Sequence, residues 1–306
     1  VINIIKKGEW AELLIPPKWN TYTIESLLQK NWQVPKKLRH ELRMRKGIKL
    51  NGDIVPWDSK LISGQKLQVH MFPKEDYGLN PTFLDVDILY EDNHILIANK
   101  IAGMDTHPNT PDEVNTLANG VAFHLLTEGI ETKPRHIHRL DHNTTGAVIF
   151  AKHALASSMM SRLLEKRKIQ RTYLALVHGK LKYSKGTINK PIGRDRHHQT
   201  RRHISKSGQS ARTNYETLFY NPKDNTSLVK LELDTGRTHQ IRVHMSYMGN
   251  PLLGDTLYGG EENKRQVLHA AKISMVHPLT EEYIECIAPF NDDPPLFNYD
   301  LTRLYY

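Results

Sequence analysis

Two short stretches carry residue types that could do chemistry together. The first is His138-Arg139-Leu140-Asp141-His142-Asn143-Thr144-Thr145-Gly146, which runs into the hydrophobic segment Ala147-Val148-Ile149-Phe150-Ala151. A carboxylate on a loop at the edge of a sheet has a rigid base and can serve as nucleophile or general base. Beside Arg139, Asp141 also reads as a salt-bridged loop residue, and spacing alone does not separate the two. The second stretch is Thr235-Gly236-Arg237-Thr238-His239-Gln240-Ile241-Arg242-Val243-His244, which follows a strand pattern and opens a helix. Histidines gather in two places, His136, His138 and His142 near the aspartate and His197, His198 and His203 farther on. Neither group has the spaced Cys/His signature of a zinc site, and Cys286 is the single cysteine. No metal is expected.

The elements that must hold these stretches follow from periodicity. Ile88-Leu89-Tyr90 and His94–Lys100 read as strands about a turn, as do Thr145–Ala151, Thr172–Val177 and Leu228–Leu233. Leu155, Met159 and Leu163 mark a helix. Strands and helices mix without regular βαβ alternation, which predicts an α+β domain over residues 81–306. Pro73–Pro81 is polar and turn-rich and reads as a linker. Ahead of it, residues 1–80 form a module of their own. Thr23 can cap a helix with Ile24, Leu27 and Leu28 on one face, and a second helix follows Pro35 with Arg39, Arg43 and Lys46 in a stripe. Gly47 reads as the stop of that helix, Ile48–Val55 as a hairpin with an Asn51-Gly52 turn, and Leu61–Val69 as a further strand. Residues 81–306 hold their own apolar strands and every candidate catalytic residue, so that part is expected to fold alone.

Charge points to a polyanion. The 306 residues carry 42 Lys+Arg against 33 Asp+Glu, a net charge of +9. Residues 161–214 alone hold 15 basic and 2 acidic side chains, among them Arg194, Arg196, Arg201, Arg202, Lys206 and Arg212. Nucleic acid is the first candidate for such a block and an anionic membrane surface the second. No apolar run is long enough for a membrane helix, and the first residues place charge after a short apolar run, the reverse of a secretion signal. With one cysteine, the composition suggests a cytoplasmic protein.

These motifs resemble a known family, the RluA-type RNA pseudouridine synthases. His-Arg-Leu-Asp-x-x-Thr-Thr-Gly at 138–146 is similar to that family's catalytic motif, with Asp141 at the essential aspartate. Arg171-Thr172-Tyr173-Leu174-Ala175-Leu176-Val177-His178-Gly179 resembles the segment whose tyrosine, here Tyr173, stacks on the target base. Thr235–His244 resembles the third motif, whose last arginine, Arg242, pairs with the aspartate. Pro251–Asp255 with Tyr258, and Leu268-His269-Ala270 with His277-Pro278, continue the likeness over roughly residues 83–290. Thr145 stands where serine is common, and Arg171 where lysine is common. The segment 20–72 resembles the small RNA-binding module named after ribosomal protein S-four, most clearly at Arg43–Gly52.

The resemblance implies an α+β catalytic domain with a mixed, mainly antiparallel sheet behind a small S-four-like α/β module, and an isomerase acting on uridine in RNA without any cofactor. Asp141, Tyr173 and Arg242 are then the catalytic residues, and His138, Arg139, Thr144, Arg237, His239, Gln240 and Leu268 the substrate-binding ones. Arg139 fills the space that the extruded base vacates, or else is a plain structural partner of an acid. Arg39, Arg43, Lys46, Arg194, Arg196, Arg201 and Arg202 form the basic surface toward RNA. Large-subunit ribosomal RNA is the favoured partner, with transfer RNA open, and a monomer is the default. The rivals are a ribosome-associated RNA-binding protein without activity and a metal-dependent RNA hydrolase. Against the first stand intact Asp141, Tyr173 and Arg242; against the second, the missing paired carboxylates.

Overall fold

Residues 1–305 are described by the structure, a computed structural model. Strands β1 (Ile4–Lys7) and β2 (Trp10–Leu14) turn at Gly8 and were not evident from periodicity. Thr23 caps the helical turn α1 (Ile24–Ser26) reciprocally: its Oγ1 accepts from the Ser26 amide at 3.1 Å, and Ser26 Oγ accepts from the Thr23 amide at 2.7 Å. That turn runs on as a wider helical turn over Leu27–Asn31, burying Leu27 and Leu28. Helix α2 (Lys36–Met44) begins after Pro35, as expected. It ends short of Lys46, which is left-handed (φ 50°), so the basic stripe holds only Arg39 and Arg43. Both of those reach Glu25, Arg39 at 3.0 Å, and Arg43 also lies over the Trp57 ring. The expected hairpin over 48–55 is a correction too. β3 (Ile48–Leu50) pairs instead with β4 (Lys66–His70), and Asp53 returns to Leu50 only in a single bridge. The four strands run β1-β2-β4-β3.

This module is docked, not loosely tethered. Its core of Trp19, Leu27, Leu28, Trp32, Leu67 and Val69 also takes in Leu155, Met159 and Leu279 from the second half of the chain. The Ile2 amide donates to the Thr280 carbonyl at 2.6 Å, and Gln33 Oε1 accepts from Arg162 at 3.1 Å and Lys166 at 2.8 Å. The 73–81 linker has no regular structure, yet Tyr77 and Leu79 pack on the larger core and Glu75 pairs with Arg135 at 2.6 Å.

The larger part is a ten-stranded, mainly antiparallel sheet. In chain order it brings β5 (Asp87–Glu91), β6 (Ile95–Lys100), α3 (Leu117–Thr127), β7 (Arg135–His136), β8 (Thr145–Ala151), α4 (Ala154–Glu165) and β9 (Gln170–His178). There follow β10 (Lys185–Asn189), the small hairpin β11 (Ile192–Arg194) and β12 (Arg202–Ile204), β13 (Arg212–Asn221), β14 (Thr226–Leu233), α5 (Gln240–Tyr247), β15 (Leu268–Val276) and β16 (Tyr283–Ile287). The order is β10-β13-β14-β9-β15-β8-β6-β5, with β16 beside β15 and β7 beside β8. Among the strands of the described residues only β15 and β8 pair in parallel, His269 opposite Thr145 and Ala270 opposite Gly146. Gly146 makes that approach possible. Its φ is 111°, and a Cβ there would stand 2.3 Å from the Ala270 carbonyl oxygen. The chain thus leaves the Asp141 loop straight into the middle of the sheet.

Candidate active site

Two loops face each other across the head of this sheet. The first, Asp141–Thr144, is a tight turn in which the Thr144 amide donates to the Asp141 carbonyl at 2.9 Å. It rests on Lys100, whose Nζ donates to the carbonyls of Ile101 (2.9 Å), Met104 (2.6 Å) and His142 (2.9 Å). Burial pulls the Lys100 pKa down to about 7, while Asp105 and Asp141 oppose that shift. Three carbonyl partners require three N–H donors, so the ammonium form fits this geometry. Thr145 Oγ1 accepts from Arg265 Nη2 at 3.0 Å and gives its proton to His269 Nδ1 at 2.8 Å, and His269 Nε2 then donates to the Ala288 carbonyl at 2.9 Å. Burial holds His269 at a pKa of about 4, which suits this neutral ring.

The second loop, Asp234–His239, ends at His239, whose left-handed backbone (φ 57°) starts α5 and sets Arg242 in its first turn. Arg242 is clamped from behind. Its Nε and Nη2 donate to the two oxygens of Asp255, each at 2.8 Å, and Asp255 is almost wholly buried. The remaining Nη1 donates to Asp141 Oδ2 at 3.2 Å. Burial opposes the Arg242 charge, but Asp255 and Asp141 outweigh it and raise its pKa. Tyr258 OH accepts from the Arg202 amide at 2.9 Å and faces His239 Nδ1 at 2.8 Å. Its proton goes to that nitrogen, so His239 carries its own proton on Nε2, which lies 3.9 Å from Asp141 Oδ2. Asp141 is therefore a half-buried carboxylate with its position fixed from one side and its other oxygen open.

The open side is a cavity of about 490 Å³, in the range that holds a small ligand. All ten site residues read from the sequence line it: Asp141, Tyr173 and Arg242 with His138, Arg139, Thr144, Arg237, His239, Gln240 and Leu268. They differ in what remains free. Gln240 has both ends engaged, accepting from Thr235 and Arg237 and donating to Arg212 and Thr213 within 2.7–3.1 Å. Thr144 Oγ1 accepts from Gln266 at 2.9 Å. His138 is buried, takes the Ile149 amide at 3.3 Å, and has its pKa pushed down to about 3, mainly by burial. These three hold the walls. Arg139 is exposed at the rim, with no ion pair among the described residues, so the salt-bridged alternative loses its partner. Tyr173 is nearly buried on β9, and burial raises its pKa, keeping the phenol protonated. Lys100 and the Asp255 clamp were missed as site residues; a lone lysine ending a buried strand gave no spacing signal.

Of the basic residues, Arg194, Arg196, Arg201 and Arg202 sit on the β11–β12 hairpin, where Arg201 pairs with Asp195 at 2.7 Å. Arg194 and Arg202 line a groove shared with Arg237 and Thr238, beside the cavity. No group of three or more His, Cys, Asp or Glu that could hold a metal occurs among the described residues.

The sequence profile described as "RNA pseudouridylate synthase" matches residues 94–247, which include both loops. The chain belongs to the RNA pseudouridylate synthase family. It is an isomerase that converts uridine in RNA to pseudouridine, on an α+β fold. Residues 11–67 match a second profile, "RluD ribosomal pseudouridine synthase N-terminal domain". The uncharacterized RNA pseudouridine synthase YhcT of Bacillus subtilis (strain 168) is 44% identical over 303 residues, 98% of this chain and 99% of that protein. The ribosomal large subunit pseudouridine synthase D of Vibrio cholerae is 35% identical over 263 residues, 80% of each chain. Among solved structures, human RNA pseudouridylate synthase domain containing 1 matches with a TM-score of 0.56 and 28% identity, over 67% of this chain and 84% of that one. No helix among the described residues is long and apolar enough to cross a membrane.

Proposed function

We propose that this synthase modifies uridine in large-subunit ribosomal RNA, using Asp141 as its reacting carboxylate. The observation that carries the site assignment is a single one: an Asp141 oxygen held at 3.2 Å by an arginine that Asp255 itself fixes, facing a cavity beside Tyr173. Isomerisation breaks the bond between ribose C1′ and uracil N1 and joins C1′ to C5. No electron and no phosphoryl group is transferred, so the chain's own side chains suffice. Asp141 acts on the sugar, as nucleophile at C1′ or as base, while Arg242 keeps it ionised and aimed. Tyr173 offers a ring face to the uracil, with its protonated hydroxyl near the N1 and C5 edges. Extruding the target base costs a few kcal/mol, and the unpaired Arg139 at the rim can fill the gap it leaves.

The ribosomal target draws support from the named relatives and from the profile matched by residues 11–67. In this reading residues 1–80 are the RNA-holding module and 81–306 the catalytic domain, with Arg194, Arg196 and Arg202 along the phosphate path. The same reading takes the protein as a monomer acting in the cytoplasm, where ribosomes are made. The test is to incubate the protein with ribosomal and transfer RNA from cells lacking its gene and map the pseudouridines formed. Large-subunit sites should appear, and Asp141→Asn should lower turnover at least about a thousandfold while RNA binding persists. Modification of transfer RNA alone would move the target, and a fully active Asp141→Asn would move the chemistry to another residue.

A further inference from the structure

The reaction above leaves one buried charged wall residue without a task. Arg171 lies two residues before Tyr173 on β9, so both side chains leave the same face of the strand. It is 7% exposed, it lines the cavity, and its Nε is buried with no hydrogen-bond partner. No carboxylate pairs with it among the described residues; Asp234, in the same wall, is already held by Arg212 and Arg167. Its guanidinium lies against the second loop, where a Cβ on Gly236 would come within 3.0 Å of Nη1. Its charge is felt by both neighbours, lowering the pKa of His138 after burial and opposing the burial-driven rise at Tyr173. A buried guanidinium without a counter-charge is costly unless an acceptor arrives with the ligand.

We propose that Arg171 donates hydrogen bonds to a carbonyl oxygen of the uracil while the ring is detached from the ribose. The proposal rests on the assignment of Asp141 and Tyr173 above. When the C1′–N1 bond breaks, both its electrons stay with uracil, and the negative charge spreads from N1 onto the ring oxygens. C5 then bonds to C1′, the C5 proton is lost and N1 gains a proton, so nothing is consumed. Charge develops on those oxygens only after the bond begins to break, and a fixed donor there favours the transition state over the bound substrate. Phosphates are a poorer fit to Arg171. The backbone stays at the rim, where the exposed Arg139 and Arg237 stand, whereas Arg171 shares the deep wall with Tyr173.

The experiment compares the full-length protein with Arg171→Met on RNA carrying uridine, 2-thiouridine or 4-thiouridine at the target position. Sulfur accepts hydrogen bonds poorly. Arg171→Met should lower kcat by about 10²–10³-fold with KM little changed, as for loss of one donor to a developing oxyanion. One of the two thio substitutions should slow the wild type at least about tenfold and Arg171→Met hardly at all. Arg171→Gln, neutral and polar, is judged by the same criteria if the methionine variant does not fold. A kcat within threefold of wild type, or equal thio effects in both proteins, overturns the proposal. So does a raised KM with sensitivity to phosphorothioates, which would make Arg171 a phosphate contact. A wild type inactive on ordinary uridine, or an active Asp141→Asn, would instead refute the underlying site assignment.

Discussion

Asp255→Asn probes whether the clamp behind Asp141 is what makes the site work. The wild-type carboxylate accepts two bonds of 2.8 Å from Arg242 and is only 1% exposed. An asparagine keeps the volume but turns an NH2 toward one guanidinium N–H, so one bond becomes a donor–donor contact and the charge pairing is lost. Removing one partner of a buried ion pair costs roughly 3–5 kcal/mol. At the roughly 2 °C per kcal/mol expected of a large domain, the melting temperature should fall by about 6–10 °C. The catalytic loss has a separate cause. Arg242 would be left with Asp141 as its one carboxylate partner and would draw it out of line with the cavity. A displacement of about 1 Å at a reacting group costs on the order of 10²-fold in rate. The assay is tritium release from RNA labelled at uridine C5, since that hydrogen leaves when C5 bonds to the sugar, with melting followed by calorimetry. A variant that melts within about 2 °C of wild type and turns over within threefold would refute the clamp.

Gly146→Ala should destabilise the protein by more than about 3 kcal/mol in chemical denaturation, because the added methyl meets the Ala270 backbone in a conformation that L-residues resist; an unchanged midpoint would mean that the parallel pair can open without cost. Burial lowers the pKa of His136 to about 4, His138 to about 3 and His269 to about 4, against an unfolded value near 6.5. The unfolded chain therefore binds more protons below pH 6.5, and the stability these rings contribute is full above that pH and lost as it falls toward 4; a melting temperature flat over this window would contradict the neutral buried rings. Removing residues 1–72 uncovers Leu155, Met159 and Leu279, each worth roughly 1.5–3 kcal/mol when fully buried. That fragment should melt well below the full chain, and a fragment beginning at residue 81, which also lacks Tyr77 and Leu79, lower still; equal melting of all three would mean a loosely tethered module.

Much of the site was legible because its residues are consecutive. Asp141 lies within one motif and Arg242 within another, and each motif runs into a largely buried element, strand β8 and helix α5. What local pattern did not carry was depth. Gln240, Thr144 and His138 have the residue types of substrate contacts, yet their polar atoms hold walls, a distinction set by partners up to 122 residues away. β1 and β2 escaped notice because their charged and apolar residues do not alternate cleanly, their burial running half-buried, exposed, exposed, exposed in β1. Helix α3 was missed because Asn119 and Gly120, poor helix formers, sit inside it; burial of Leu117, Val121 and Leu125 overrides their propensity. The hairpin over 48–55 failed for the converse reason. Asn51-Gly52 does make a turn, but the sheet offered β4 as a longer partner than Asp53–Val55 could be.

The charge map shows the same difference between type and environment. A net +13 over residues 161–214 suggested a phosphate-binding face, but acids from outside that block answer several of its cations. Arg212 and Arg167 are met by Asp234, and Lys185 by Glu216. In the N-terminal module Glu25 likewise holds both Arg39 and Arg43. Cations already paired release few counterions on binding RNA, because the phosphate must first compete with a carboxylate. Arg139, Arg194, Arg196 and Arg202 have no carboxylate partner among the described residues, and all four border the cavity or the hairpin beside it. In the proposed reading these unpaired cations, standing where the base must enter, add more to the salt dependence of RNA binding than the paired ones do.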